Sequence, residues 1–285
     1  MRRRRDHFLF LAMITLWTTL GVIAIPRESS GAIIGKWTFE GGSLLDSTGN
    51  FGTLQLQGTA SIANGELIVS STVSSVTGWA RTGTYGGPTI TNKTLVSWIT
   101  LTSLTHNKGS AITIDRIGNN DQFDGIVFGE RQTNRWMSGS SNFSRTQDFS
   151  PGFQETMTGT KIQLAFTYSV SGSSVTITGY RNGILLGQYT SSNAESWSTN
   201  DAEVIFGARH AGSTTVSGGL NARIDEARIY NEVLTQSQIA GLTLTPIPEP
   251  SSLAIFCMGS LGVILRKFPN KRGRRIDLTG GSKRP

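Results

Sequence analysis

A chain of 285 residues with a formal net charge of +7 is long enough for one large sheet-built domain with appendages at its ends. Its 34 glycines, with abundant Ser and Thr, exclude an all-α fold, and the lone Cys257 excludes an intrachain disulfide or a cysteine-based zinc cluster. Residues 33–265 hold 13 basic and 16 acidic side chains, a net −3, so the positive charge lies at the termini and nucleic acid is excluded as a partner of the folded part.

Residues 2–5 are all arginine and precede an apolar run at 8–25, the charged and hydrophobic parts of a secretory signal. Ser30, Gly31 and Ala32 supply the small residues a signal peptidase reads. Residues 1–32 are therefore expected to form a signal helix cleaved after Ala32. A run of that length also meets the lower limit for an uncleaved membrane anchor, which is the alternative.

Strands are predicted over 95–101, 111–114 and 125–128. Between the last two, the stretch 115–124 is rich in oxygen ligands, but Arg116, Ile117 and Phe123 interrupt EF-hand spacing. It is expected to be a polar loop that holds no cofactor, with calcium the lesser alternative. From Lys161 onward Ile162, Leu164, Phe166, Tyr168 and Val170 alternate with polar or small residues, which predicts a strand with one buried face. Ser171-Gly172-Ser173 turns it into a second strand at 175–178. Asn182-Gly183 then starts a third, because both residues tolerate positive φ. A further strand is predicted over 204–206.

The passage 219–235 gives a strand followed by a short helix. Thr235 as N-cap and Gln238 three residues on form a capping box, Leu234 and Ile239 a hydrophobic staple, and Gly241 is expected to stop the helix. Along the strand, Asp225 is expected to share a face with Ala227 and Ile229, and Ile224 to share the other with Glu226, Arg228 and Tyr230.

Past residue 243 come Ile247-Pro248-Glu249-Pro250-Ser251, a mostly apolar run to Leu265, then Arg266, Lys267 and a basic tail. The two prolines keep the backbone extended. A transmembrane helix over 251–265 would reach about 22 Å, against a hydrocarbon core of ~30 Å, so the bilayer thins or the basic residues snorkel. The positive-inside rule places the tail, 266–285, in the cytoplasm and the domain outside.

This C-terminal arrangement resembles the PEP-CTERM sorting signal of bacterial exported proteins. The resemblance implies that an exosortase, a membrane-embedded cysteine protease, recognises Pro248, Glu249 and Pro250, which are then a substrate site. The passage Ile224-Asp225-Glu226-Ala227-Arg228-Ile229-Tyr230 is similar to the closing strand of the LamG-like, concanavalin A-like jelly rolls. Trp37-Thr38-Phe39-Glu40, Leu45-Asp46-Ser47-Thr48-Gly49-Asn50 and Tyr180-Arg181-Asn182-Gly183 support it. What this implies is an all-β antiparallel β-sandwich jelly roll over 33–243, joined by a linker at 244–250 to the membrane helix. Asp225, Glu226, Arg228 and Tyr230 then form a structural family motif, in which Asp225 or Glu226 holds nearby loop backbone or an arginine.

Hydrolases of this jelly roll usually carry acids spaced Glu-x-Asp-x-x-Glu on one strand, flanking the scissile bond. That spacing is absent, and the adjacent Asp225 and Glu226 are expected to point to opposite faces. His106 and His210 are expected to be solvated loop histidines. Trp79, Trp136 and Trp197 occur in polar surroundings, which makes them the candidates for stacking on sugar rings, while Trp37 and Trp98 read as core. The expectation is a non-enzymatic protein, anchored in the inner membrane facing the periplasm and then moved to the cell surface or matrix. Its jelly roll would bind glycan or another surface protein; the alternative is a glycoside hydrolase with a non-standard acid pair.

Overall fold

The computed structural model describes residues 32–118, 122–212 and 215–246. The predicted signal helix, the Pro-Glu-Pro motif and the membrane helix lie outside them. Among the described residues no helix is long and apolar enough to cross a membrane.

Sixteen strands occur among the described residues: β1 Ile33–Trp37, β2 Gln55–Gly58, β3 Ser61–Ala63, β4 Glu66–Ser71, β5 Val76–Arg81, β6 Lys93–Leu101, β7 Ser110–Arg116, β8 Phe123–Phe128, β9 Trp136–Ser140, β10 Lys161–Ser171, β11 Ser174–Arg181, β12 Ile184–Ser192, β13 Ala202–Phe206, β14 His210–Ala211, β15 Val216–Ser217 and β16 Ala222–Tyr230. One α-helix, α1 Gln236–Gly241, follows. The path β12-β11-β10-β6-β16-β4-β5-β13-β7-β8-β9 forms one curled antiparallel sheet, with β1 added to β16, β2 to β5 and β3 to β4. The sheet folds over at the β4–β5 corner into the two layers of a sandwich. Between the layers lies the main core, including Trp37, Leu95, Ile112, Phe166, Phe206 and Ile224.

The hairpins follow from local chemistry. β10 pairs with β11 and β11 with β12. At the second turn Asn182 has φ 50° and Gly183 φ 73°, the positive values a two-residue turn needs. Gly183 is also sterically required, since a Cβ there would lie 2.8 Å from that of Ala240 in α1.

Two expectations change. The centre of β10 is buried on both faces, as is all of β6, because the outer face of this layer has its own apolar cover. Leu234 and Ile239 from α1 and its approach, with Leu242 and Leu244 behind them, pack on Val96, Trp98, Ala165, Tyr180 and Tyr230. The stretch 115–124 is also not a plain loop: Asp115 lies in β7 and Asp124 in β8, and the two strands pair. The capping box forms as drawn, Thr235 Oγ1 accepting from the Gln238 backbone N–H at 3.3 Å and Gln238 Oε1 from Thr235 N–H at 2.8 Å. Gly241 is the last helical residue and Leu242, extended, is the C-cap.

Candidate functional site

The closing strand β16 carries a bulge between Ile224 and Glu226. The extra residue, Asp225, resets the parity, so Ile224 joins Ala227 and Ile229 in the main core. This overturns the face assignment read from strict alternation. Asp225 and Glu226 do not oppose each other: Asp225 pairs with Lys161 on the outer side of the layer, and Glu226 lies across from Trp98 on that side.

There Glu226 and Arg228 form a buried pair, 1% and 6% exposed, with Arg228 Nε donating to Glu226 Oε1 at 2.6 Å. Arg228 stacks its guanidinium 4.6 Å from the Trp98 ring centroid and donates to Tyr230 Oη at 3.3 Å. Burial alone would lower the Arg228 pKa, but Glu226 and Tyr230 outweigh it and hold the group above its ordinary value. The pair also grips the chain beyond α1. Arg228 Nη2 donates to the Thr243 carbonyl at 2.5 Å, while Thr245 gives its N–H to Glu226 Oε2 at 2.7 Å and its hydroxyl to Oε1 at 2.9 Å. Gln163 Nε2 donates to the Ile239 carbonyl at 3.0 Å.

Among the described residues each buried carboxylate group has a partner. Arg181 forks onto Glu155 at 2.7 and 3.0 Å, and Trp136 Nε1 adds a third bond at 3.2 Å. Arg81 Nε takes Glu203 at 2.7 Å, and Arg209 takes Glu130 at 2.9 Å. Asp46 accepts backbone N–H groups of Lys36, Thr48 and Phe51, so this acid of the Leu45-Asp46-Ser47-Thr48-Gly49-Asn50 passage shapes its own turn. Asp124 binds Lys93 and Arg145 at 2.9 and 3.0 Å, with all three side chains 1% exposed.

Asp115 accepts from Ala211 N–H at 3.0 Å and lies 2.6 Å from His210 Nδ1. Burial pushes the Asp115 carboxyl up to about 6 against the pull of His210 and the Ala211 amide. Burial likewise raises Glu203, and Arg81 draws it back. His210 is thus a correction to the sequence reading: it is 5% exposed, stacked on Phe123 and tied to Asp115. His106 is half-buried against Phe128, its pKa lowered by burial and then by Lys108. Among the described residues no three of His, Cys, Asp and Glu converge as a metal site. Asp115 and Asp124, the described acids of the calcium alternative, are taken by basic side chains.

The candidate tryptophans separate. Trp197 is fully buried in the main core and Trp136, 3% exposed, packs 4.7 Å from Phe128. Neither offers a face to a sugar, because their polar sequence neighbours flank side chains that point inward. Trp79 is half-buried, with Arg81 5.7 Å from its ring centroid.

A family model described as the concanavalin A-like lectin/glucanases superfamily matches residues 75–240. The chain belongs to that superfamily. A second model, the PEP-CTERM protein-sorting motif, matches residues 246–267. No curated protein matches. Among solved structures, the chain is similar to domain 4 of AbnA, a GH43 extracellular arabinanase from Geobacillus stearothermophilus, in complex with arabinotriose. That match has a TM-score of 0.51 at 21% identity and covers 73% of this chain and 96% of the other. It is also similar to the binding domain of botulinum neurotoxin serotype D/C VPI 5993, with a TM-score of 0.51 at 16% identity, over 73% of this chain and 50% of that one. The chain spans about half the length of such toxin domains, and at these identities the likeness is one of fold.

On this concanavalin A-like domain, one open surface went unnoticed in the sequence. Phe153, Met157, Ile184 and Leu185 are 45%, 75%, 70% and 45% exposed. Arg181 spans them, its guanidinium 4.2 Å from the Phe153 ring centroid, with Glu155 fixing it from behind. Phe153, Arg181, Ile184 and Leu185 line one open pocket. The available signal was Ile184-Leu185 directly after Asn182-Gly183, since two successive apolar residues on a strand cannot share one face.

Proposed function

We propose that this chain is an exported, exosortase-processed surface or extracellular-matrix protein whose jelly roll binds glycan or another surface protein without hydrolysing it. The observation that carries the reading is the presence, on one chain, of a lectin-type sandwich and a sorting motif directly after it. The bound carbohydrate of the arabinanase domain supports glycan as the ligand class. The paired state of the buried acids supports binding over hydrolysis: a general acid needs an open carboxyl facing substrate, and Glu155, Glu203 and Glu226 face arginines. In this reading, residues 1–32 direct export, 33–243 bind, 251–265 hold the chain in the inner membrane with 266–285 in the cytoplasm, and processing near Pro248, Glu249 and Pro250 hands the domain to the surface. No cofactor is invoked.

The test is to incubate the purified protein with a panel of envelope and plant polysaccharides, following both retention and reducing ends. Retention without new reducing ends is expected. Hydrolysis that vanishes on replacing one carboxylate would establish the glycosidase instead.

A further inference from the structure

The bonds from Glu226 and Arg228 to residues 243–245 serve no sheet ladder. Strand β16 already has β6 on one edge and β1 and β4 on the other. The two side chains instead fasten a strap that leaves α1 and crosses the outer face of the layer, with Leu244 tucked against the second apolar cluster. The sorting motif begins immediately after that strap.

We propose that Glu226 and Arg228 are positioning residues for C-terminal processing: they clasp the strap at Thr243 and Thr245 and thereby restrain the sorting motif until the strap is released. This rests on the processing reading given above. With the clasp closed, Thr245 is the last fastened residue, and the three residues from it to Pro248 span at most about 10 Å. In sequence only Pro246 and Ile247 separate Thr245 from the motif, and the apolar run starts directly behind it. A protease that binds extended backbone needs room on both sides of the residues it reads, and a sandwich held this close obstructs the upstream side. Releasing residues 243–245 moves the tether back to Leu242 and extends the reach to about 20 Å. The strap is fastened by two bonds from one residue, Thr245, and one from Thr243, so release does not dismantle the sheet.

The experiment uses the full chain in a host with its own processing machinery and follows conversion to the shorter form by pulse-chase. Thr245→Pro removes both the N–H and the hydroxyl that bind Glu226, yet leaves the buried Glu226–Arg228 pair intact. A second variant keeps the clasp and inserts Gly-Ser-Gly-Ser between Pro246 and Ile247, so that it does not depend on any change to the fold. Glu249→Ala tests the processing reading itself. Both the Thr245→Pro and the insertion variants are expected to convert several-fold faster than the parent, the insertion variant with unchanged thermal unfolding of the purified chain, and Glu249→Ala is expected to stay unprocessed. If the parent is processed and Glu249→Ala is not, but either other variant converts at the parental rate or slower, the clasp is refuted and the processing reading stands. If the parent is never shortened, or Glu249→Ala is shortened equally, the processing reading fails and the clasp with it.

Discussion

Replacing Asp124 by Asn tests the ionic cluster that closes one end of the sandwich. Asp124 Oδ1 accepts from Arg145 Nε at 3.0 Å, and Oδ2 forms an ion pair with Lys93 Nζ at 2.9 Å, away from hydrogen-bond angles. Arg145 has other partners: the carbonyls of Phe123 and Asn193, and Glu195 Oε1 at 3.5 Å. Among the described residues Lys93 then keeps only the face of Tyr168, 4.4 Å from its ring centroid. The amide still accepts from Arg145 but cannot neutralise Lys93, which at 1% exposure has no water to turn to. Breaking such a pair from one side costs about 3–5 kcal/mol. At roughly 2–4 °C per kcal/mol in a domain of this size, melting should fall by about 6–20 °C. Lys93→Met combined with Asp124→Asn should recover most of the loss, since it removes the stranded charge and keeps the apolar stem. Urea unfolding of the parent, both single variants and the double variant closes the cycle. A loss under about 1 kcal/mol for Asp124→Asn, or no recovery in the double variant, would refute the reasoning.

Three further outcomes are expected. Because burial lifts Asp115 from 3.8 to about 6, the folded state keeps a proton that the unfolded chain has lost; stability therefore falls as pH rises from about 4 to 6. This site contributes on the order of 3 kcal/mol. Glu203, also raised, adds a slope of the same sign, and unfolding across that window should be flatter in Asp115→Asn. Gly183→Ala should destabilise by about 1 kcal/mol or more, since φ is +73° and the new methyl meets Ala240; thermal unfolding and faster amide exchange in α1 are the readouts. Phe153→Ala with Ile184→Ser, on the open apolar surface, should leave stability within about 1 kcal/mol while reducing retention on whichever polysaccharide the parent binds. Unchanged retention would move the binding site elsewhere.

The parts legible in the sequence were those fixed by neighbours along the chain. β10 to β12 followed from period two and Asn182-Gly183, and the α1 cap from Thr235 and Gln238, because each depends on residues a few positions apart. The bulge at Asp225 was visible only as a broken alternation: Ile224 and Ala227 had to reach one core, and a strict period of two could not take them there. What escaped were pairings across long separations. Lys93, Asp124 and Arg145 lie far apart in the chain and meet only once the layers close. His210 reads as a loop residue until β14 lays it on Asp115. Trp136 and Trp197 sit among polar residues yet point inward, since local polarity says nothing about which side of the backbone faces the core. The family motif was legible, but its grip on residues 243–245 was not, because Glu226 and Thr245 are joined by a helix and a turn.

The most direct test of the whole account is the intact mass of the protein recovered from envelope and medium, set against the full-length chain. The expected product lacks residues 1–32, ends near Pro248 to Pro250 and is found outside the inner membrane. A full-length chain of 285 residues in the cytosol, with both ends in place, would contradict it.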